Sequence, residues 1–484
     1  MHTATLVTFL IYLGALISLG IVFYRYSKTL SDYILGGRRL RSGVAALSAG
    51  ASDMSGWLLL GLPGAVYAAG INQIWIAVGL SIGAFLNWNF TAARLRVFTE
   101  IAGNAITIPD FLEQRFEDRS HLLRIVSATV ILIFFAVYTA SGLVAGAKLF
   151  ESAFGWGYYP ALFTGTAVIV LYTFLGGFLA VSWTDFFQGL LMLFALTATP
   201  VLLFFFHDNW SSIVSVVSSV NPQYLDATSG LTLIGLLSLL AWGFGYFGQP
   251  HILARFMAID SPKSVPRAIG IGMGWMVMTL AGAVLIGFAG ISYFADSPLA
   301  DPEFVFIELV QQLFSPWLAG ILLAAILSAV MSTVDSQLLV CSSAITDDFY
   351  KSLLRPKAAQ KELVAVGRAS VAAVAVAALV MALNPESMVL DLVAYAWAGF
   401  GASFGSVILF SLYWRRMTRN GALAGVITGA LTVLVWRNLQ GGVFDLYEIL
   451  PGFIFSSLAI IIFSHIGGEP SEKTQNLFDR ARLQ

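Results

Sequence analysis

The sequence predicts an all-α polytopic membrane protein, and three observations carry the prediction. Hydrophobic residues make up 58% of the 484 and charged residues 11%, against roughly 25% charged in a soluble domain. The apolar residues fall in windows of about twenty, the length of a helix that crosses a bilayer. The basic residues fall almost wholly between alternate windows, as the positive-inside rule requires of a multi-pass chain.

Thirteen spans follow in order. Span 1 (about 3–26) has no basic region before it and no small-residue cleavage site, so it reads as a retained helix rather than a leader. Span 2 (about 43–70) contains SAGASDMSGW (48–57), small and polar residues that weaken a helix, with Asp53 at their centre. Spans 3 (about 72–93), 4 (about 124–149), 5 (about 157–176) and 6 (about 183–206) are apolar stretches separated by polar or glycine-containing turns. Span 7 (about 231–254) carries Gly243, Gly245, Gly248 and Pro250, which weaken its centre. Spans 8 (about 268–294), 9 (about 316–346), 10 (about 364–382), 11 (about 388–414), 12 (about 421–438) and 13 (about 445–466) complete the set. The connections 94–123, 207–230 and 295–315 have room for short amphipathic helices, and the tail after Gly468 is short and polar. No loop is long enough for a soluble domain, so 1–484 is read as one transmembrane unit.

Two interrupted helices five spans apart suggest two inverted five-helix repeats, spans 2–6 (about 43–206) and 7–11 (about 231–414), with spans 1, 12 and 13 as additions. Arg25, Lys28, Arg38, Arg39 and Arg41 follow span 1, and similar clusters follow spans 3, 7, 9, 11 and 13. The opposite side has only Lys148 and Arg437. This places the N-terminus outside and the C-terminus in the cytoplasm.

Composition and motifs exclude several classes. Cys341 is the only cysteine, so no intrachain disulfide forms. His2, His121, His207, His251 and His465 are scattered, and no nucleophile–base pair or phosphate loop is present, so an enzyme is not expected. GFGYFG (243–248) has the spacing of a dinucleotide fingerprint but lies inside an apolar span. Its glycines read as a hinge or as a face for close helix packing.

The chemistry lies in the polar residues of the spans. A carboxylate at mid-membrane costs about 2.5–3.5 kcal/mol on insertion scales, which marks Asp53 as functional. On span 9, Ser328, Ser332, Asp335 and Ser336 share one face, with Thr333 beside Ser332. Such hydroxyls either bond their own helix and its neighbours or, as oxygen-only ligands, hold a hard cation such as Na⁺. Trp57, Tyr138, Trp242 and Tyr246 either pack the core or wall a cavity for a small solute. Asp185 and Asp391 begin spans 6 and 11 and read as interfacial helix-start carboxylates. His251 and Arg255 close span 7 and read as interfacial too.

Taken together, YILGGRRL (33–40), LSAGASDMSGWLLLGLPGAVYAAG (47–70), YTFLGGFLAVSWTD (172–185), AWGFGYFGQPHILARF (241–256) and AVMSTVDSQLLVCSSAITDD (329–348) resemble the sodium/solute symporter family. The likeness runs from about residue 5 to 466, and GYFGQPHILARF and MTRNGALAG resemble its proline-transporting branch. It implies a bacterial inner-membrane transporter that imports L-proline coupled to Na⁺ by alternating access, within a lipid bilayer and with no nucleic-acid or obligatory protein partner. It implies a Na⁺ site made of the carbonyls of Ala51, Met54 and Ala329 and the hydroxyls of Ser332 and Thr333. By the same resemblance Ser55, Gly56, Trp57, Tyr138, Trp242, Tyr246 and Pro250 bear on substrate, Asp53 on sodium use, and Arg38 on function at the cytoplasmic side. Some relatives bind a second sodium ion through an aspartate matching Asp185 and hydroxyls matching Ser332 and Ser336. Asp335 stands where some proline transporters carry an uncharged residue, which leaves a second site open. The alternatives are a family member for another small amino acid or carboxylate, and, in a different class, a solute sensor or channel-like protein.

Overall fold

Where water is absent a chain must satisfy its own backbone, and helix does so within one segment. The computed structural model describes residues 3–24, 29–175, 177–206 and 209–482. Every regular element among them is helical, apart from one isolated bridge between Leu40 and Ile259. Arg25, Lys28, His2, His207 and Gly176 lie outside the described residues.

The order is α1 (Thr3–Tyr24), α2 (Leu30–Leu35), α3 (Ser42–Asp53), α4 (Trp57–Ala69), α5 (Ile71–Ile101), α6 (Ile108–Phe116), α7 (Leu122–Phe154), α8 (Tyr158–Leu175), α9 (Phe178–Phe206), α10 (Trp210–Val220) and α11 (Leu233–Ala241). It continues with α12 (Pro250–Ala258), α13 (Val265–Tyr293), α14 (Val305–Leu313), α15 (Pro316–Ser343), α16 (Gln360–Met381), α17 (Val389–Tyr413), α18 (Arg419–Trp436), α19 (Ile449–Ile466) and α20 (Glu472–Arg482). Nine helices among the described residues are long and apolar enough to cross a membrane: α5, α7, α9, α13, and α15 to α19 with their helical extensions. The three long connections do hold short helices, α6, α10 and α14. The tail differs from the sequence reading, because its polar run folds as α20. Phe478 packs edge-on to Phe98, and Arg115 donates to the Thr474 carbonyl.

Helix α15 is the hub, packed by α1, α3, α7, α9 and α16, and nearly every residue from Leu322 to Ser343 is buried. Its small residues allow this close approach, the usual packing currency between helices in a bilayer. Two helical paths break beside it. Between α3 and α4 the chain leaves helix at Met54, whose φ of −79° and ψ of 64° form an inverse γ-turn, with Ser55 N–H donating to the Asp53 carbonyl at 2.9 Å. Between α11 and α12 residues Trp242–Gly248 wind as 3₁₀ helix, and Gln249 is extended. Pro250 does not interrupt a helix, as its position in the sequence implied. It opens α12 in the first turn, where a missing N–H costs nothing.

The glycines of the 3₁₀ segment serve packing. A Cβ on Gly243 would lie 2.3 Å from the Gly79 carbonyl oxygen, and one on Gly245 would lie 1.8 Å from Trp397 Nε1. On the α14 side, Lys148 Nζ pairs with Asp301 and Glu303, each at 2.7 Å. Glu303 also accepts the N–H groups of Val389 and Leu390 that open α17.

Candidate ion and substrate site

The break after Asp53 faces the middle of α15. Ser332 Oγ lies 2.8 Å from the Ala51 carbonyl and 3.1 Å from that of Ala329, and Thr333 Oγ1 lies 3.4 Å from the Ala51 carbonyl. Four of the five oxygens expected around a cation are therefore joined by a chain of hydrogen-bond contacts, all on buried residues. Met54, the fifth, is the centre of the γ-turn next to them. An all-oxygen cluster with no nitrogen or sulfur suits a hard monovalent cation.

Asp53 links this cluster to the second break. Its Oδ2 accepts from the Tyr246 hydroxyl and its carbonyl from the Tyr138 hydroxyl at 3.1 Å, while Oδ1 accepts no hydrogen bond. Trp57 and Trp242 face each other at 6.1 Å between ring centroids, and Trp242 meets Tyr447 at 5.5 Å. Ser55 Oγ accepts the Trp57 N–H at 3.4 Å. Gly56 sits where a Cβ would meet Ala145 Cβ at 2.6 Å, which holds the break tight against α7. Six of the seven residues that the resemblance links to substrate thus converge on one aromatic-walled region. Pro250 instead lines a small cavity that none of the other six lines.

The other polar residues form a separate cluster, and here the sequence reading needs correction. Asp185 lies two turns inside α9 rather than at its start, and it, Arg255 and His251 are wholly buried in the protein rather than on its surface as helix-end charges would be. Arg255 donates to Asp185 Oδ2 at 3.1 Å, to Ser48 Oγ at 3.0 Å and to Ser336 Oγ at 2.5 Å. Ser48 in turn donates to Asp185 Oδ2 at 2.6 Å. Asp335 pairs instead with the Thr173 hydroxyl. The α15 stripe thus fans out to four neighbours, since Ser328 goes to the Tyr12 hydroxyl of α1. Asp391, in contrast, is an exposed first-turn carboxylate on α17, as expected.

Arg38 sits at a left-handed position, φ 56°, between α2 and α3. It donates to Asn104 Oδ1, Thr99 Oγ1, and the carbonyls of Met257 and Ala105, so it pins this turn to the ends of α5 and α12. Burial, with Arg96 nearby, lowers its guanidinium to about 10.

Sequence reasoning missed Tyr12, Thr173, Asn87 and Trp397. Trp397 Nε1 donates to the Trp242 carbonyl at 2.7 Å and its ring meets Tyr246 edge-on at 5.1 Å. Asn87 donates to the Tyr246 carbonyl at 2.8 Å. Their signal was an isolated polar or aromatic residue in an apolar window, which does not reveal its partner.

Comparison with known proteins places this geometry. The family model of the sodium:solute symporter family matches residues 33–429. The chain belongs to that family. This symporter is 57% identical to the sodium/proline symporter of Escherichia coli (strain K12), over 99% of the chain and 96% of the relative. It is 51% identical to the high-affinity proline transporter PutP of Bacillus subtilis (strain 168), over 95% and 98%. Its fold is similar to that of a Na⁺-coupled sialic acid symporter solved substrate-bound and outward-open, with TM-score 0.83, 19% identity, and coverage of 97% of this chain and 99% of that one. The closed nucleobase-cation-symport-1 transporter Mhp1 matches with TM-score 0.56, 15% identity, and coverage of 94% and 98%.

Proposed function

We propose that this symporter imports L-proline with Na⁺ across the bacterial inner membrane by alternating access. The observation that carries the reading is the near full-length identity to sodium/proline symporters, on a chain whose two broken helices bring an all-oxygen cluster beside an aromatic-walled region. In this reading Na⁺ sits among Ala51, Met54, Ala329, Ser332 and Thr333, its positive charge taking the place of the hydrogens that Ser332 and Thr333 direct at the Ala51 carbonyl. Proline lies between Trp57, Trp242, Tyr138 and Tyr246, with its carboxylate near backbone amides freed by the Ser55–Gly56 break. Asp53 stands in the chain between Ala51 and Met54 of the ion cluster and bonds both tyrosines of the substrate region, and the coupling it provides acts equally in both directions.

The broken pairs α3/α4 and α11/α12, with α1, α8 and the nine long helices, make thirteen spans, N-terminus outside and C-terminus in the cytoplasm. Residues 43–206 and 231–414 are the two inverted repeats in this reading. Exposed apolar side chains such as Phe205 and Ile466 then face lipid. Each inward Na⁺ contributes about 2.3 kcal/mol per 100 mV, enough for more than tenfold accumulation at about 1.4 kcal/mol per decade.

Proline uptake into proteoliposomes under imposed Na⁺ or H⁺ gradients tests the function. Accumulation only with inward Na⁺ supports it, and downhill flux alone would leave a channel. Stronger competition by another small amino acid or carboxylate would reassign the substrate within the family.

A further inference from the structure

We propose that Asp348, with Thr107 beside it, forms a cytoplasmic release site for the transported monovalent cation. The inference rests on the Na⁺ symport proposed for this chain and extends it from binding to exit. Ser332, Ser336 and Ser343 lie at i, i+4 and i+11, within about 40° of one another around α15. One face of this helix therefore leads from the ion cluster toward the cytoplasmic loops, about 16 Å from Ser332 to Ser343 at the helical rise. A cavity of about 20 Å³, room for one water-sized occupant, opens on that face between Ser336, Ser343 and Asp348 on one side and Thr107, Pro250 and Arg255 on the other.

Between the two serines the wall is Leu339 and Val340, with Phe178 and Ile131 also lining the cavity. An ion that passes Ser336, whose hydroxyl is held by Arg255, next meets the side-chain oxygens of Thr107, Ser343 and Asp348. Asp348 is suited to receive it. The residue is wholly buried, its Oδ1 accepts from the Thr107 hydroxyl at 2.9 Å, and its Oδ2 accepts no hydrogen bond. A buried carboxylate oxygen without a partner is costly, and either a proton or a cation relieves it.

The surroundings add further carboxyl groups. Asp110, Glu113 and Asp347 adjoin Asp348 around Arg124, which pairs with Asp110, lies 3.2 Å from Glu113 and 3.8 Å from both Asp347 and Asp348. Lys351 serves Asp347 at 2.6 Å, and His121 meets Glu113 at 2.8 Å. Four carboxyl groups thus gather around Arg124, Lys351 and His121, while the other cation of the cavity wall, Arg255, is paired with Asp185. Arg124 ties α6 and α7 to the helical extension Ala344–Leu354, so an arriving cation competes with the side chain that holds this exit shut.

The test separates release from binding in proteoliposomes carrying wild type, Asp348→Asn and Asp348→Glu. Three quantities are measured: Na⁺-dependent proline binding, net Na⁺-driven proline uptake, and proline exchange with saturating Na⁺ and proline on both sides. Exchange does not require Na⁺ to leave. The expected result is wild-type binding and exchange in Asp348→Asn, with net uptake reduced roughly tenfold or more, as for loss of one contact to a charge, and recovery in Asp348→Glu. Equal loss of exchange and uptake would make Asp348 a structural gate residue and overturn the proposal, as would unchanged net uptake. Where Asp348→Asn does not fold, the same split in Thr107→Val decides. Wild-type uptake indifferent to Na⁺ would instead remove the symport reading and this inference with it.

Discussion

Trp397→Phe is the substitution whose effect can be worked most directly from the structure. Trp397 touches neither the oxygen cluster nor Asp53. It holds the 3₁₀ segment of the second break, with Nε1 on the Trp242 carbonyl at 2.7 Å and its ring edge-on to Tyr246. Its indole also fills the space over Gly245, where even a Cβ would collide with it. Phenylalanine keeps most of the ring but removes the donor. Losing one buried hydrogen bond and leaving its acceptor less satisfied costs about 1–2 kcal/mol. If that cost is borne by the substrate-bound state, half-saturating proline rises about five- to thirtyfold. The assay is initial uptake as a function of proline at saturating Na⁺, and of Na⁺ at saturating proline. The expected result is a raised half-saturation for proline, a nearly unchanged maximal rate and an unchanged Na⁺ requirement. An Na⁺ requirement that rises as much as the proline one would refute the assignment of the 3₁₀ segment to substrate, and wild-type kinetics would refute the positioning role.

Other substitutions probe separate parts of the same arrangement. Ser332→Ala combined with Thr333→Ala removes both hydroxyls at the Ala51 carbonyl and should raise half-saturating Na⁺ by tenfold or more, at about 1.5–3 kcal/mol per contact to a charge, while proline binding at saturating Na⁺ persists; titration of Na⁺-dependent proline binding checks it. Trp242→Ala should weaken proline binding and leave Na⁺ binding largely intact, measured by equilibrium binding of each, and the reverse pattern would move the substrate region elsewhere. Lys148→Met strands Glu303 without its cation and should destabilise the folded protein by about 3–5 kcal/mol, seen as a lower thermal midpoint in detergent, with Glu303→Gln in the same chain restoring much of the loss.

The two helix breaks were legible because glycine, serine and proline act locally, and a membrane span tolerates a run of such residues mainly where its helix opens or packs closely. The hydroxyl stripe of α15 was legible for a similar reason, since helical period alone groups Ser328, Ser332, Asp335 and Ser336. Their destinations were not. Asp185 and Arg255 are 70 residues apart in sequence, and each alone looked like a helix-end charge. Only the packing of α3, α9, α12 and α15 turns them into a buried pair. Pro250 was misplaced because a proline that starts a helix and one that breaks it look alike until the extended Gln249 before it is seen. The tail helix α20 escaped because its polar composition carries no span signal, and its anchor, Phe478 against Phe98 and Arg115, is tertiary.

The contact between α5 and the 3₁₀ segment bears on how this protein can change over time. A Cβ on Gly83 would lie 2.1 Å from the Gly243 carbonyl, and one on Gly79 would lie 2.5 Å from that of Leu240. Two main chains meet there with no side chain between them, so no neighbouring residue can be trimmed to admit a larger one. Most buried positions can drift through paired substitutions that conserve volume, but this seam has no second partner to adjust. A saturation scan should find Gly79, Gly83 and Gly243 closed even to alanine, beside Ile82 and Phe85 on the exposed side of the same helix, which should accept most apolar residues. Adaptation to a new solute must then run through the aromatic side chains, while the backbone frame that carries them stays fixed.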